Sequence, residues 1–507
     1  MLSGSVTQTT TPVGQQIQEP EVRPWPALFA LVLGFFMILV DLTIVTVATP
    51  TIIDKLDASV NEALWVSSAY MLAYAVPVLI TGRLGDRYGS KNLYLLGLTV
   101  FTLASLWCGL AGGITMLVIA RVVQGFGASM ITPQTMAIIT RIFPAAERGK
   151  AMAVWGATAG VAMVVGPILG GVLTSGLGWE WIFFVNIPVG LVGFFLAVRN
   201  VPALSTHEHK FDWFGVALSG VGLFLLAYGI QQGHTEHWAG WIIAMIVGGV
   251  VFLTAFVYWQ SRNKQEPLVP LGLFRDRNFS VSNLAITVMG FVGVSMGYPL
   301  MLWAQAVLGY SATKAALLLF PMAIMSIILA RPVGGLTDRI HPRVIVGAGF
   351  VLSIVGMFSL ATQLKADPSI PLIVVFQVIL GAGNAFIWAP TAATATRNLP
   401  MQFAGAGAGV YNATRQVGSV IGSAAIAVMM SSRLTHFLPG AAVHGDAGAQ
   451  KITDPHVADG FAKAMQQSLM LPASVYFIGL VAVLLYERPK HSGYGGAPAP
   501  VAAPAEG

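Results

Sequence analysis

Residues 31–53 read LVLGFFMILVDLTIVTVATPTII, an apolar run of helix length with one carboxylate, Asp41, set inside it. An ionisable side chain within a membrane span is energetically expensive, so it indicates a functional role by default. Asp41 is the only acidic residue in the interior of the apolar runs of this chain. We therefore expect Asp41 to carry a proton-binding or cation-binding step. The simpler alternative is that Asp41 pairs with a neighbouring Arg and only locks two helices together.

The composition indicates a membrane protein. Of the 507 residues, 55% are hydrophobic and only 9% are charged, whereas about 25% are charged in an average soluble domain. The single Cys108 lies in an apolar run and the nine His form no HExxH pair, so we expect neither a disulfide framework nor a metal site. The net charge of +6 does not indicate a nucleic-acid partner. The basic residues fall in short loops, where they set topology in the lipid bilayer.

The apolar runs predict the number of spans. A membrane-spanning helix needs roughly 20 mostly apolar residues, and fourteen runs meet that criterion. We therefore predict an all-α polytopic membrane protein with fourteen transmembrane helices. The spans cover approximately residues 27–49, 62–80, 92–111, 114–139, 151–173, 181–198, 213–231, 238–259, 278–302, 312–335, 344–362, 370–391, 405–430 and 469–486.

The basic residues predict the orientation of these spans. With the N-terminus inside, 18 of the 27 Lys and Arg residues fall on cytoplasmic segments and 6 on external ones, and Arg121, Arg331 and Arg415 lie in spans. This asymmetry follows the positive-inside rule. We expect a multi-pass protein of the cytoplasmic (inner) membrane with both termini in the cytoplasm.

Three polar segments lie outside the spans. Residues 1–24 have no basic region or cleavage site of a signal peptide, so we expect a cytoplasmic N-terminal tail. Residues 488–507 are of low complexity and predicted to be a disordered cytoplasmic tail. Residues 431–467 form the longest external segment, and their polar pattern predicts no regular structure.

The chain also contains an internal repeat. A shift of 256 residues superposes Arg141 on Arg397 together with several glycines, and a shift of 252 residues superposes the Asp-Arg pair 86–87 on the pair 338–339. Two parallel halves of six spans, with the substrate site between them, are typical of one large class of transporters. We predict an N-terminal bundle, two inserted helices and a C-terminal bundle over residues 25–200, 201–265 and 266–487.

The stretch GRLGDRYGSKN at 82–92 is predicted to be a cytoplasmic loop between spans 2 and 3. Its glycines allow a tight turn, its acid can cap a helix N-terminus, and its basic side chains can pair across the gap between the bundles. The recurrence of this motif in the second half favours a role as a gate. The alternative is a basic turn that only sets the orientation of the spans in the membrane. The predicted gate residues are Gly82, Arg83, Asp86, Arg87, Gly89, Lys91, Asp338 and Arg339.

A second buried charge is predicted beside Asp41. Arg121 stands about seven residues from the external end of span 4 and Asp41 about nine from that of span 1, so both lie roughly 10 to 14 Å below the outer surface. We expect them to form a proton-coupling pair whose separation changes with conformation and thereby switches proton affinity. The second half has Gln377 in place of Arg121, so the N-terminal half alone is expected to carry this step.

Arg415 lies near the middle of span 13 without an acidic partner in its own half. Three interpretations stay open: it binds an anionic part of a substrate, pairs with Asp41 in one state, or hydrogen-bonds to carbonyl groups. Aromatic residues in the spans either line a cavity or belong to the belts at the membrane interfaces. The candidate cavity residues are Tyr70, Tyr74, Tyr298, Asn384, Trp388 and Arg415.

Span 5 contains WGATAGVAMVVGPILGGV at 155–172. Small residues four apart allow close helix contact, and a proline lets a helix bend. The pattern predicts a hinge, with ordinary membrane packing as the alternative. The predicted hinge residues are Gly156, Gly160, Gly166, Pro167, Gly170 and Gly171.

Together these motifs resemble the major facilitator superfamily, and specifically its branch of 14-span drug/proton antiporters. The resemblance covers the chain from span 1 to span 14. Thr46 and Thr49 depart from the span-1 motif, which usually has Asn and Leu there, and span 10 lacks an acid that some relatives carry. The similar motifs are LVDLTIVTVATP in span 1, GRLGDRYGSK after span 2, RVVQGFG in span 4, GVAMVVGPILGG in span 5, WEWIFFVNIPVG in span 6 and NATRQVGSVIG in span 13.

The resemblance implies multidrug efflux and antibiotic resistance: export of amphipathic, often cationic, toxic compounds in exchange for protons, by alternating access. No nucleotide is expected, since the chain has no GxxxxGK[ST] loop. The missing acid of span 10 argues against dicationic substrates, because one buried carboxylate remains to balance charge. We expect a functional monomer without cofactor, and whether a periplasmic adaptor protein takes part stays open.

Other functions fit the sequence less well. A dedicated exporter of a metabolite, siderophore or lipid precursor stays open, because a fold does not fix a substrate. Uptake by symport is disfavoured, since by resemblance the span-5 motif belongs to antiporters. A channel would need rings of charges or carbonyls, and a membrane-embedded enzyme would need a cluster of titratable or metal-ligating residues. The spans supply neither.

Overall fold

The computed structural model describes residues 23–58, 60–144, 147–204, 206, 212–233, 236, 238–263, 267–337, 339–399, 403–438 and 452–488. These residues form seventeen α-helices and no β-strand. The all-α fold class is therefore confirmed. Asp338 and nearly all of the predicted terminal tails lie outside the described residues.

The helices fall into three groups along the chain. The first group is α1 (Pro24–Leu56), α2 (Val60–Ala75), α3 (Val78–Tyr88), α4 (Ser90–Gly109), α5 (Ile114–Ile142), α6 (Arg148–Gly176), α7 (Trp181–Phe184) and α8 (Asn186–Asn200). The second is α9 (Trp213–Gly233) and α10 (Gly240–Arg262). The third is α11 (Arg277–Ala306), α12 (Ala312–Ala316), α13 (Phe320–Thr337), α14 (Pro342–Ala361), α15 (Ile370–Arg397), α16 (Ala404–Phe437) and α17 (Pro455–Val483), with short 3-10 helices at Leu271–Arg275 and Leu317–Leu319.

Thirteen helical stretches of the described chain are long and apolar enough to cross a membrane, and α2 with α3 makes a fourteenth span if the bent pair counts as one. The bend between α2 and α3 is 45°. It falls at Pro77, which has no backbone N–H and whose ring collides with the carbonyl four residues earlier. Span 2, predicted as one straight helix, is therefore broken at its middle.

The stretch 82–92 is not a loop, as the sequence pattern suggested. α3 continues to Tyr88 and α4 begins at Ser90, so the turn consists of Gly89 alone, at a φ of +92°. Side-chain-bearing residues rarely adopt that angle, and glycine does so without steric cost. The gate motif therefore sits on the rigid end of a helix. We call the membrane face at this helix end, predicted to be cytoplasmic, the Asp86 face.

The prediction of an unstructured segment at 431–467 is wrong at both ends of the segment. α16 continues to Phe437, and α17 begins at Pro455. The carboxylate of Asp454 caps α17 by accepting a hydrogen bond from the backbone N–H of His456 at 2.8 Å. Helices that extend beyond the bilayer need no apolar run there, so hydropathy ended both spans too early.

The sequence repeat is also a repeat of helix contacts. A Cβ placed on Gly127 of α5 would lie 2.9 Å from the carbonyl oxygen of Gly97 on α4. A Cβ placed on Gly383 of α15 would likewise lie 2.9 Å from the carbonyl oxygen of Gly349 on α14. Because these glycines occupy corresponding positions of the two halves, the bundles share one packing scheme, in which backbones touch and no side chain fits between them.

The two inserted helices form a hairpin held by one acid. The carboxylate of Asp212 accepts hydrogen bonds from the Gly215 backbone at 2.9 Å, from Trp259 Nε1 at 2.9 Å and from Gln260 Nε2 at 2.7 Å. Burial acts to raise the pKa of Asp212, but these hydrogen bonds outweigh it, and the pKa lies below its usual value. The hairpin is not isolated, because α9 also contacts α2 and α16.

The glycine contacts predict a difference between two otherwise similar substitutions. Gly127→Ala places a Cβ 2.6 Å from the backbone nitrogen of Phe101, so we expect overpacking to destabilise the protein by about 1–3 kcal/mol. The measurement is the thermal unfolding midpoint of the purified protein in detergent. Gly293→Ala is the matched control, since a Cβ there meets nothing within 4 Å. Equal midpoints for the two variants would contradict the close approach of α4 and α5.

Candidate functional site

Asp41 and Arg121 meet in the interior of the N-terminal bundle. Their side chains are 0% and 1% exposed, and Arg121 Nη1 forms an ion pair with Asp41 Oδ2. Asp41 lies on α1 and Arg121 on α5. The similar depth that the sequence gives them thus corresponds to a direct contact between two helices.

Two neutral amides complete the surroundings of the carboxylate. Gln124 Nε2 donates to Asp41 Oδ1 at 3.0 Å, and Asn186 Nδ2 donates to the same oxygen at 3.1 Å. Both amide nitrogens also donate to Ser105 Oγ, Gln124 Nε2 at 2.7 Å and Asn186 Nδ2 at 3.4 Å. Every oxygen of the carboxylate therefore has a donor, as the burial of a charge in a low-dielectric interior requires.

Arg121 is held by further contacts on its own side of the pair. Its Nη1 donates to Gln124 Oε1 at 2.7 Å and its Nε donates to the Val66 carbonyl oxygen at 3.0 Å. The guanidinium carbon lies 4.1 Å from the centre of the Tyr70 ring, a cation–π distance. The cluster thus joins α1, α2, α4, α5 and α8 at one point. We call this set of residues the charge cluster.

The charge cluster is closed in this conformation. Asp41 has no exposed surface, so an exchange of its proton with water requires α1, α2 or α5 to move. Such a movement would separate a buried ion pair, which costs several kcal/mol unless a proton or water replaces the lost partner. A rearrangement of the bundle that separates the pair therefore carries a free-energy cost.

Sequence reasoning assigned no role to Gln124, Asn186 or Ser105. Gln124 stands in RVVQGFG and Asn186 in WEWIFFVNIPVG, both quoted for their family resemblance and not for these side chains. Neutral polar residues are common in spans, so they carry a weaker signal than a charge. The sequence signal that could have identified Gln124 and Asn186 is a side-chain amide in each of two apolar runs.

A line of contacts leads from the charge cluster to the other bundle. Tyr70 and Tyr74 lie one turn apart on α2, with ring centres 6.3 Å apart. Tyr74 Oη donates to Thr132 Oγ1 at 3.0 Å and accepts from Arg415 Nη2 at 3.2 Å, and Arg415 belongs to α16. In this conformation the Arg415 guanidinium therefore donates to the Tyr74 hydroxyl and does not pair with Asp41, the partner that one of the three interpretations gave it.

The other candidate cavity residues lie apart from this line. Asn384 and Trp388 are on α15, and Tyr298 on α11 is 54% exposed. Within the described part of the chain, no hydrogen bond joins them to Arg415 or Tyr74. The structure therefore brings together Tyr70, Tyr74 and Arg415 of the six candidates.

Asp86 connects the two bundles at the Asp86 face. Its carboxylate is fully buried and accepts hydrogen bonds from the backbone N–H groups of Gly405 at 3.1 Å and Ala406 at 3.0 Å, at the N-terminus of α16. Arg141 Nη2 donates to the same carboxylate at 2.7 Å. An anion at a helix N-terminus satisfies free N–H groups and is favoured by the helix dipole. Asp86 thus closes one bundle against the other.

The remaining predicted gate residues have different surroundings. Arg83 Nη2 donates to the Pro267 carbonyl at 3.1 Å, at the start of the C-terminal half. Lys91 Nζ donates to the Val198 carbonyl at 2.8 Å, within its own bundle. Arg87 lies over the adjacent Tyr88 ring, and Arg339 is exposed at the end of α13.

Glycines let the bundles touch at this face on both sides of the repeat. A Cβ on Gly82 of α3 would lie 2.7 Å from the Gly405 carbonyl oxygen of α16, and a Cβ on Gly334 of α13 would lie 3.0 Å from the Gly149 carbonyl oxygen of α6. These four residues are two pairs of repeat equivalents. The Asp86 face is therefore closed by two symmetric backbone contacts.

The span-5 glycines serve two different neighbours. A Cβ on Gly166 would lie 3.1 Å from the Val40 carbonyl of α1, and one on Gly170 would lie 2.9 Å from that of Ile44. Gly156 instead faces α15 of the other bundle, since a Cβ there would lie 3.6 Å from the Ala389 nitrogen. Gly160 faces Ala323 and Ser326 of α13, and Pro167 and Gly171 lie within the same continuous helix, α6.

Comparisons with known proteins agree over nearly the whole chain. The family model described as Major Facilitator Superfamily matches residues 31–423. An uncharacterised MFS-type transporter of Mycobacterium tuberculosis is 52% identical over 91% of this chain and 81% of its own length. The tetracenomycin C resistance and export protein of Streptomyces glaucescens and the riboflavin transporter RibZ of Clostridioides difficile are each 30% identical, over 82% and 92% of this chain and 78% and 98% of theirs. The solved structure of the proton:xylose symporter XylE shares the fold, with a TM-score of 0.61 at 15% identity over 91% of this chain and 94% of that one.

The contacts of Asp86 predict that its removal opens the Asp86 face. Asp86→Ala loses the buried ion pair and the helix cap, so we expect the open population to rise about tenfold or more. The measurement is the distance distribution between spin labels at Tyr88→Cys and Ile340→Cys, exposed and equivalent positions of the two halves. The control is Glu487→Gln, which breaks an exposed pair with Arg277 and should leave the distances unchanged. An unchanged distribution in Asp86→Ala would contradict the gate.

Proposed function

Because the chain belongs to the major facilitator superfamily, a family of membrane transporters and not of enzymes, we propose that it is a proton-coupled antiporter that exports amphipathic compounds. The observation that carries this proposal is the charge cluster. Asp41, the one acid in the interior of the sequence-predicted spans, is fully buried against Arg121, at a point where five helices meet. A purely structural ion pair is seldom worth its desolvation cost, whereas a pair that opens can exchange protons.

Alternating access supplies the coupling step in this proposal. With the Asp86 face closed, Asp41 is paired with Arg121. When the bundles rock and the Asp86 face opens, the pair separates and Asp41 becomes free to exchange its proton. Because Tyr70 and Tyr74 connect Arg121 to Arg415 of the other bundle, a change in the pair moves residues at the interface between the bundles, where cargo would bind.

Export and its orientation belong to the same proposal. The excess of basic residues on the Asp86 face makes that face cytoplasmic, which puts both termini inside the cell. Cargo then leaves the cytoplasm as protons enter down their gradient, with no other cofactor. The protein acts as a monomer in the cytoplasmic membrane.

Two cargo ranges are compatible with this mechanism. The similarity to a resistance and export protein supports a broad exporter of toxic amphipathic compounds, often cationic. The similarity to a riboflavin transporter supports the alternative, a dedicated exporter of one metabolite, siderophore or lipid precursor. Uptake of a panel of amphipathic dyes into inverted vesicles separates the two, because a dedicated exporter would leave the whole panel untouched.

The proposal predicts that Asp41→Asn abolishes uphill export. Asparagine keeps the shape of the side chain but cannot take up a proton at neutral pH. A pH gradient can then no longer drive transport through this residue. Purified protein is reconstituted into vesicles with an imposed pH gradient, and accumulation of ethidium and of anilinonaphthalene sulfonate is followed by fluorescence. We expect gradient-driven accumulation to fall to the level of protein-free vesicles, while binding of the dyes persists.

Two further variants make this experiment decisive. Asp41→Asn alone leaves Arg121 as a buried unpaired cation, so the double variant with Arg121→Gln restores a neutral cluster and separates loss of coupling from loss of folding. Asp459→Asn, which breaks an exposed i,i+4 pair with Lys463, is the control and should transport normally. Uphill transport by a folded Asp41→Asn variant would rule out Asp41 as the coupling site.

A further inference from the structure

The charges within the spans do not balance, and the imbalance falls at one residue. Asp41 and Arg121 neutralise each other. Arg331 is exposed within two turns of the end of α13 at the Asp86 face, where a long side chain can reach the headgroups. Arg415 remains, about 16 Å along α16 from its first residue at 1.5 Å per residue. Of the four charged residues in the interior of the sequence-predicted spans, Arg415 is thus the one with neither a countercharge nor a path to the headgroups.

Arg415 has fewer partners than a buried guanidinium needs. Its side chain is half-buried and, within the described chain, its hydrogen-bonding contact is Tyr74 Oη at 3.2 Å. That oxygen is shared, since its proton goes to Thr132. A guanidinium carries several N–H donors in a planar fork that matches carboxylate, sulfonate or phosphate oxygens. Most of these donors remain available at the interface between the bundles.

An apolar cleft borders the same helix crossing. The cleft lies between α9, α16 and the break after α2, and its volume is about 20 Å³, room for about one water molecule. Leu223 and Leu226 of α9 face Val417 and Val420 of α16 across it. Ala75, the residue after Tyr74, and Gln416, the residue after Arg415, also line it. Small-molecule sites usually have roughly 300–1,000 Å³, and neither Arg415 nor Tyr74 lines the cleft. Cargo is therefore expected at the interface between the bundles, where Arg415 meets Tyr74.

We infer that the cargo site takes an amphipathic anion, whose charged head pairs with Arg415 at the interface between the bundles. The inference rests on the proposed export function and specifies the chemical class of its cargo.

A cationic head would have no counter-charge at this site. Asp41, the one acid in the interior of the sequence-predicted spans, is 0% exposed and accepts from Arg121, Gln124 and Asn186. Bringing a second cation next to Arg415 would be repulsive, because like charges repel more strongly in a low-dielectric interior than in water. The same arithmetic favours an anion, which supplies the missing partner.

The test compares two probes that differ only in their head groups. Dansyl-aminoundecanoate carries a carboxylate, and its analogue of equal chain length ends in trimethylammonium. Binding to the full-length protein in detergent is measured by energy transfer from the protein's tryptophans to the dansyl group, with protein-free micelles subtracted. We expect the carboxylate probe to bind about tenfold or more tightly than the ammonium probe, and Arg415→Gln to remove that preference.

Matched variants separate the head-group contact from damage to the fold. Arg415→Lys keeps the charge and should retain part of the preference, whereas Arg331→Gln removes a different span arginine and should change nothing. Equal or tighter binding of the ammonium probe to the wild-type protein would overturn the inference, as would an unchanged preference in Arg415→Gln. Because no gradient is applied, this result is independent of whether Asp41 couples transport to protons.

Discussion

The ion pair between Asp41 and Arg121 is the constraint on which the rest of the N-terminal bundle depends. Two charges in a low-dielectric interior are tolerated only when each is paired and hydrogen-bonded. The bundle meets that requirement by bringing a carboxylate, a guanidinium and two amides from three different helices to one point, and by placing the Tyr70 ring of a fourth helix against Arg121. Any change in the protonation of Asp41 must disturb all of these contacts together.

The geometry of the interface explains how such a disturbance can reach the gate. α2 places Tyr70 against Arg121 and Tyr74 against Arg415. After the break at Pro77, its continuation α3 places Asp86 at the N-terminus of α16. One span therefore touches the charge cluster, Arg415 and the closed face. At the glycine contacts of that face the backbones touch directly, so the surfaces can separate there once the hydrogen bonds of Asp86 and Arg83 are broken.

The sequence predicted the architecture well because the signals behind it are strong. Hydropathy, basic-residue asymmetry and a repeat at a nearly constant offset each depend on many residues. Together they predict fourteen spans, of which twelve form two parallel halves and two are inserted between them. The contact of Asp41 with Arg121 was anticipated from their similar depth alone. Short-range geometry was harder to foresee: Gly89 makes a whole turn by itself, and Pro77 breaks a span whose hydropathy is continuous.

The polar partners of the site were beyond the reach of sequence patterns. The side chains of Gln124, Asn186 and Ser105 are neutral. Burial of a neutral polar side chain in a membrane costs so little free energy that such residues also occur without a function. Arg415 kept three interpretations because the sequence does not say which side chain of the other bundle it meets. That question depends on the crossing of α2 and α16, which only the structure provides.

The central claim is that opening the Asp86 face frees Asp41 to take up a proton, and infrared difference spectroscopy tests it most directly. Spectra of the wild-type protein and of Asp86→Ala are recorded on acidification, each with and without Asp41→Asn. The account predicts a band of a buried protonated carboxyl group in Asp86→Ala that is absent when Asp41 is replaced, and a much weaker band in the closed wild-type protein. A band that persists after Asp41 is replaced, or no band in the opened protein, would contradict the account.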